Sequence, residues 1–384
     1  MATLSLGAGG FVVVAHLQSE RELRTNAATF STAPTRSTSR VLAITPLTGT
    51  QNVGWSSLIS VQLSQPLTQA SLLPRMTPTV AGSWSWRSTR TVVFHPKGRF
   101  APGVTYLVTI PEATRGSVAS SPSLSLSTSA NATPVTTTQF SVALPSITRL
   151  QQLLAELDYL PVTFTPSTSS TASALGDEPA STSQIPLSAQ NGIFAWRFSN
   201  TPSTLQALFR PGYWSVLDQA AVMSFEAAHG LSVDGVPSAP VWSALLSAIA
   251  HRQVNPRPYN YVVASESPPE RLVVWSGGSI VYSTPANTGV AGAATPQGTW
   301  PVRLRFASQT MAGTNPNGAH YVDPGIRYIA YFYGSDAVHG FPRASYGFPQ
   351  SAGCVEIPLA AAKIVYGLDP LGTLVTVTAK PLAS

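Results

Sequence analysis

The run Arg327-Tyr-Ile-Ala-Tyr-Phe-Tyr333, then Val338-His339-Gly340, then Gln350-Ser351-Ala352-Gly353-Cys354-Val355-Glu356, decides how this chain is read. The first piece is aromatic and apolar, as a buried strand is, and Leu359–Tyr366 after the last piece has helical character. Cys354 is the only thiol in 384 residues. Thiol catalysis needs a thiolate, and a free cysteine of pKa about 8.5 supplies only a few per cent of it near neutrality. A neighbouring imidazole can take that proton and later return it to an amine. His339 lies fifteen residues before Cys354, across a Gly/Pro-rich connection that can bring two strand ends within reach of each other. Gly353 permits a tight turn whose backbone N–H groups can hold a developing oxyanion. Spacing alone is also compatible with a buried, inert thiol and an unrelated imidazole.

Outward from this core the pattern is β. Arg271-Leu-Val-Val-Trp275 and Ser279-Ile-Val-Tyr282 flank Gly277-Gly278, which predicts a hairpin. Thr295-Pro-Gln-Gly298 predicts a turn, and Trp300–Phe306 and Gly372–Thr378 predict strands. His339-Gly340-Phe341, Ser345-Tyr-Gly-Phe-Pro349, Ser351-x-Gly353-Cys354-Val355 and Thr295-Pro-x-Gly298 together resemble the L,D-transpeptidase catalytic domain, the YkuD domain, over residues 259–380. The resemblance implies a mostly β enzyme that cleaves the diaminopimelate–D-alanine bond of a peptidoglycan stem tetrapeptide through a cysteine thioester. A second stem's amine then resolves the thioester into a 3→3 cross-link. It also implies that Cys354 is the nucleophile, His339 the general base and acid, Gly353 part of the oxyanion hole and Ser351 a supporting residue. Gly340 follows the histidine as the family pattern expects and is placed with the substrate site.

Two positions depart from that pattern. The family's common Ser-His-Gly-Cys has Ala352 in place of its histidine here, and Glu356 stands where an Arg or Asn is frequent. Arg343 is the candidate to supply the missing positive charge to a substrate carboxylate. Tyr321 and Tyr331 are candidate pocket walls with His320 and Tyr328, sheet packing being the favoured reading for all four. Either Asp336 or a backbone carbonyl can orient His339. A wall-binding protein with a decayed site and an L,D-carboxypeptidase that uses water remain the competing functions.

Upstream, Leu150, Leu153, Leu154 and Leu157 follow helical spacing, as do Trp242, Leu245, Leu246 and Ile249. Between them Asp218 is read as the cap of a helix carrying Val222, Phe225 and Glu226. Leu150-Gln-Gln-Leu-Leu, Ala221-Val-Met-Ser-Phe225 and Val233-Asp234-Gly235 resemble a three-helix peptidoglycan-binding domain over 144–255. A Ser/Thr/Pro-rich insertion at about 164–192 interrupts it and is expected to be a disordered surface loop.

Residues 41–143 alternate with period two: Ile59, Val61 and Leu63, then Val104, Tyr106, Val108 and Ile110. With turns at Pro96-Lys97-Gly98 and Pro102-Gly103, this is a β-sandwich signature. Gly82-Ser-Trp-Ser-Trp86 to Val93-Phe94-His95-Pro96 resembles bacterial Ig-like domains, which implies a spacer. Trp55, Trp84 and Trp86 are read as core or hairpin packing rather than a sugar platform. Residues 1–40 are read as the remnant of a signal or anchor followed by a linker. The expected fold is therefore multidomain and mainly β with a small α domain.

Composition bounds the partners. Charged residues are 10% of the chain, and one cysteine excludes a disulfide framework and Cys-rich zinc or iron–sulfur sites. The net charge of +6 comes from residues 1–145, with ten basic and three acidic residues, but no dense basic run supports nucleic-acid binding. Six scattered histidines show no metal-ligand spacing, and no cofactor is implied. The expected partners are peptidoglycan stem peptides and glycan, the expected location is extracytoplasmic, and a membrane is involved only through an N-terminal anchor.

Overall fold

The computed structural model describes residues 40–65, 73–111, 135–167 and 181–380. The expected N-terminal anchor and linker lie outside them, save Arg40. Among the described residues no helix is long and apolar enough to cross a membrane.

The first unit contains β1 (Val41–Thr45), β2 (Thr50–Val53), β3 (Ile59–Leu63), β4 (Arg75–Thr77), β5 (Gly82–Ser88), β6 (Thr91–Pro96), β7 (Thr105–Pro111) and β8 (Val135–Val142). They form two four-stranded sheets, β1-β3-β6-β5 and β2-β8-β7-β4. The alternation read from sequence has the expected cause: Ile59, Val61, Leu63, Tyr106, Val108 and Ile110 are buried in one core between the sheets, while Gln62 and Leu107 face out. Trp84 packs on Phe94 at 5.2 Å, and the Trp55 indole donates to the Ala143 carbonyl at 2.7 Å. Both tryptophans are therefore structural, and Trp86 is the exposed one of the three.

The second unit contains α1 (Ile147–Glu156), β9 (Val162–Pro166), β10 (Gly192–Trp196), α2 (Ser203–Gln206), α3 (Val216–Ala228) and α4 (Ala239–Ala250). The four leucines of α1 and its C-terminus are buried, each contributing on the order of 1.5–3 kcal/mol. Two expectations need correction. Ser215, not Asp218, caps α3; Asp218 is the third helical residue, and its carboxylate accepts back from the Ser215 N–H at 2.8 Å. The insertion at 164–192 is ordered where it is described: β9 pairs with β10 as a hairpin, and Ile185 and Leu187 are buried in the helical core. Its residues 168–180 lie outside the described residues.

The third unit contains β11 (Asn260–Ser265), β12 (Arg271–Ser276), β13 (Ser279–Pro285), β14 (Gly298–Pro301), β15 (Leu304–Thr314), β16 (His320–Tyr333), β17 (Asp336–Gly340), β18 (Val355–Ile357), α5 (Leu359–Leu368) and β19 (Leu374–Thr378). One sheet has the order β13-β12-β11-β19-β14, the other β15-β16-β17-β18. The Gly277-Gly278 hairpin forms as read, with both glycines at positive φ. The strand expected over Trp300–Phe306 instead changes sheets: β14 pairs with β19 up to Pro301, and β15 then pairs with β16 from Leu304. Val262, Val274, Val375, Ala330, Phe332, Val338, Val355 and the α5 residues Ala362 and Val365 fill the core between the sheets. The helical core continues into this unit through Tyr261, Val263, Trp275 and Leu374. The approach is close: a Cβ on Gly372 would sit 2.3 Å from Ser224 Oγ of α3.

Candidate active site

The site is built on the outer face of the β17–β18 pair. These strands run parallel, with Val338 opposite Val355 and His339 opposite Glu356. Val338, Val355 and Ile357 point into the core, so the alternate residues Ala337, His339 and Glu356 point the other way. Cys354, just before β18, packs on that same outer face with Ala337, Ile329, Tyr331 and Phe341. The His339 ring meets Phe341 edge-on at 6.2 Å. Thiol and imidazole therefore share one side of one sheet.

The turn that presents the thiol is tied at several points. Ser351 Oγ donates to the Cys354 carbonyl at 2.5 Å and accepts from the Gly353 N–H at 3.2 Å. Gly353 has φ +122°, which favours glycine, and a Cβ there would lie 2.4 Å from Asp336 Oδ1 and displace that carboxylate. The sulfur has the Ser335 carbonyl as a partner at 3.9 Å, and the Ala337 N–H is directed at it.

A second layer, invisible to motif reading, anchors this turn. The Glu270 carboxylate, fully buried, accepts from the Thr288 N–H at 2.6 Å and hydroxyl at 2.8 Å. The Thr288 carbonyl accepts from the N–H groups of Gln350 and Ser351. Asn287 trades main-chain bonds with Glu356, both 2.9 Å, and its side-chain oxygen accepts from the Gly347 N–H at 3.0 Å. Thr295, the first residue of the turn motif, accepts from the Gly289 N–H at 2.8 Å.

Electrostatically, burial favours the neutral form of both Cys354 and His339. Burial pushes the Cys354 thiol up to about 12, with Asp336 and Glu356 adding to the effect and the Ala337 N–H opposing it. Burial lowers His339 below its ordinary value, against the hydrogen bond to the Gly340 carbonyl and the nearby Glu356 charge. That carbonyl, 3.3 Å from Nδ1, is what orients the ring; Asp336 faces Gly353 instead.

Other expected residues fall into two groups. Tyr331 packs with Cys354 in one cluster, and the phenols of Tyr321 and Tyr331 are both shifted up, chiefly by burial. Arg343 is near the site, but its guanidinium forks Glu356 at 2.7 and 2.8 Å, so its charge is already paired. At Gly340 a Cβ would press on Leu359 and Ala362 of α5, so a small residue there allows the close packing of that helix. Tyr328 packs against Tyr366 in the inter-sheet core, and His320 pairs with Thr314 at an exposed position, so neither lines the thiol's surroundings. Among the described residues no three His, Cys, Asp or Glu side chains gather as metal ligands.

A parallel strand pair carrying His then Cys on its outer face is where the family comparison falls: residues 259–377 match the model of the L,D-transpeptidase catalytic domain. Residues 259–377 are a YkuD domain. Residues 35–128 match the bacterial Ig-like domain. The chain is similar to an L,D-transpeptidase from Mycobacterium smegmatis at 13% identity, covering 88% of this chain and 98% of that one with a TM-score of 0.29. For Mycobacterium tuberculosis L,D-transpeptidase 3 with a faropenem-derived adduct the values are 14%, 88%, 97% and 0.29. For the Enterococcus faecium L,D-transpeptidase catalytic domain they are 23%, 31%, 95% and 0.29. Among curated proteins none matches the chain. The YkuD domain thus brings an enzymatic fold of a wall-directed family.

Proposed function

We propose that the chain is a cysteine-dependent L,D-transpeptidase acting outside the cytoplasm on peptidoglycan stem tetrapeptides. The observation that carries this reading is the shared sheet face of Cys354 and His339 inside the YkuD domain. As the sulfur attacks, its proton passes to the His339 imidazole. The sulfur adds to the carbonyl carbon of the diaminopimelate L-centre. With the Gly353 N–H held by Ser351, the Cys354 N–H is the amide left to receive the oxyanion. The intermediate collapses, D-alanine leaves with the proton from His339, and a thioester remains. The side-chain amine of a second stem then attacks the thioester carbonyl, loses a proton to His339 and expels the sulfur, which is reprotonated. The product is a 3→3 cross-link.

The first two units serve this chemistry as a spacer and a wall-binding helical domain, with boundaries near 41–143, 144–255 and 259–380. Holding catalyst and polymer together raises local substrate concentration without new contacts at the thiol. The test is incubation with a carbapenem and with a tetrapeptide. Wild type should gain one covalent adduct at Cys354 and release D-alanine, and Cys354→Ser should do neither. Failure of wild type to do either overturns the reading; release of D-alanine without a cross-linked product when an acceptor amine is present replaces it with hydrolysis.

A further inference from the structure

Glu356 is an awkward neighbour for a thiol that must become an anion. It lies two residues after Cys354, on the same sheet face, with only 5% of its surface exposed. A buried carboxylate without a partner is costly, and a negative charge this close opposes a second one on sulfur. The cation that answers it comes from the loop between His339 and Cys354. Arg343 donates through Nε at 2.7 Å and Nη2 at 2.8 Å to the two carboxylate oxygens, and through Nη2 to the Gln350 carbonyl at 3.2 Å. Its guanidinium also lies 4.5 Å from the Phe341 ring, whose edge contacts His339.

We propose that the Arg343–Glu356 pair is a charge-neutralising device for Cys354, in which the guanidinium cancels the carboxylate that faces the thiol. The fork closes the 341–350 loop onto β18, and it presents the sulfur with a dipole in place of a net negative charge. This rests on the reading of Cys354 as nucleophile. The other ionisable groups facing the thiol or imidazole are Asp336 on β17 and Tyr321, Tyr331 and Asp323 on β16. Tyr346 in the loop touches the Arg343 N–H, and Lys363 on α5 is exposed.

The opposite signs of the two charges make the test decisive. The chain has one cysteine, so iodoacetamide alkylation at fixed pH 8 reads Cys354 reactivity without requiring transpeptidation. Arg343→Met leaves an unopposed carboxylate and should slow alkylation about tenfold; Glu356→Gln leaves an unopposed guanidinium and should speed it several-fold, by about one pKa unit or less. The double variant, neutral and of similar volume, should return to within about twofold of wild type. Single variants that shift the rate in the same direction, or a double variant that does not recover, overturn the proposal. If Arg343→Met does not fold, the comparison of Glu356→Gln with the double variant decides, since the former must be the faster. Absence of carbapenem adduct in wild type would instead strike the catalytic reading, while the alkylation rates still judge the charge pair.

Discussion

At the scale of single residues, reactivity here depends on geometry that one atom can spoil. Gly353 is the sharpest case: its φ of +122° strains any other residue, and an added Cβ would lie 2.4 Å from Asp336 Oδ1 and force that carboxylate to move. Gly353→Ala should lose roughly 2 kcal/mol of stability, on the order of other backbone strain penalties, and at least tenfold in carbapenem acylation rate. Urea midpoints and adduct mass kinetics check the two effects, and adding Asp336→Ala should recover only the part caused by the clash. The residues that motif reading could see are those whose chemistry is in the side chain, Cys354 and His339. Glu270, Thr288 and Asn287 escaped it because they act mostly on backbone atoms of the 346–356 turn, and that use has no residue-type signature. Arg343 was legible as a charge near the site, but its pairing with Glu356 needs the fold of the loop and was not.

Elements carry their own pH response. Glu226 on α3 is almost fully buried, and its Oε2 accepts from the N–H groups of Asp234 and Gly235, fixing the Asp-Gly turn against the helix. Burial outweighs those hydrogen bonds and raises its pKa from 4.5 to about 7. The folded chain therefore holds this proton more tightly than the unfolded one. Its stabilising contribution is complete below about 4.5 and is lost as pH rises through about 7. Glu226→Gln should remove that loss, with wild type falling by roughly 1–3 kcal/mol relative to the variant between pH 5 and pH 8 in urea unfolding. The Asp234-Gly235 turn and the three main helices were readable from period and punctuation. Two features were not: the start of α3, because both Ser215 and Asp218 are good capping residues, and the β9–β10 hairpin, because a polar Ser/Thr/Pro composition masks the pairing of Phe164 with Phe194.

For the whole molecule, the telling feature is that the helical unit and the large sheet share one core. Tyr261 sits in it fully buried, its hydroxyl bonded to Thr204 of α2 at 3.0 Å and to Thr376 of β19 at 2.6 Å. Tyr261→Ala should cost about 3–5 kcal/mol and lower the thermal midpoints of helix loss and of carbapenem-binding competence together. Separate midpoints would show that the two units do not unfold as one. The docking of these units was not legible in the sequence, since the apolar residues that join them follow the same periodicities as those that fill each one. The strand order holds a last consequence. β19 is the last strand among the described residues, yet it lies between β11 and β14, pairing Leu374 with Tyr261 more than a hundred residues earlier. A nascent polypeptide therefore cannot complete this sheet until residues 374–378 have emerged, and a copy cut short before them would carry Cys354 on an unfinished support.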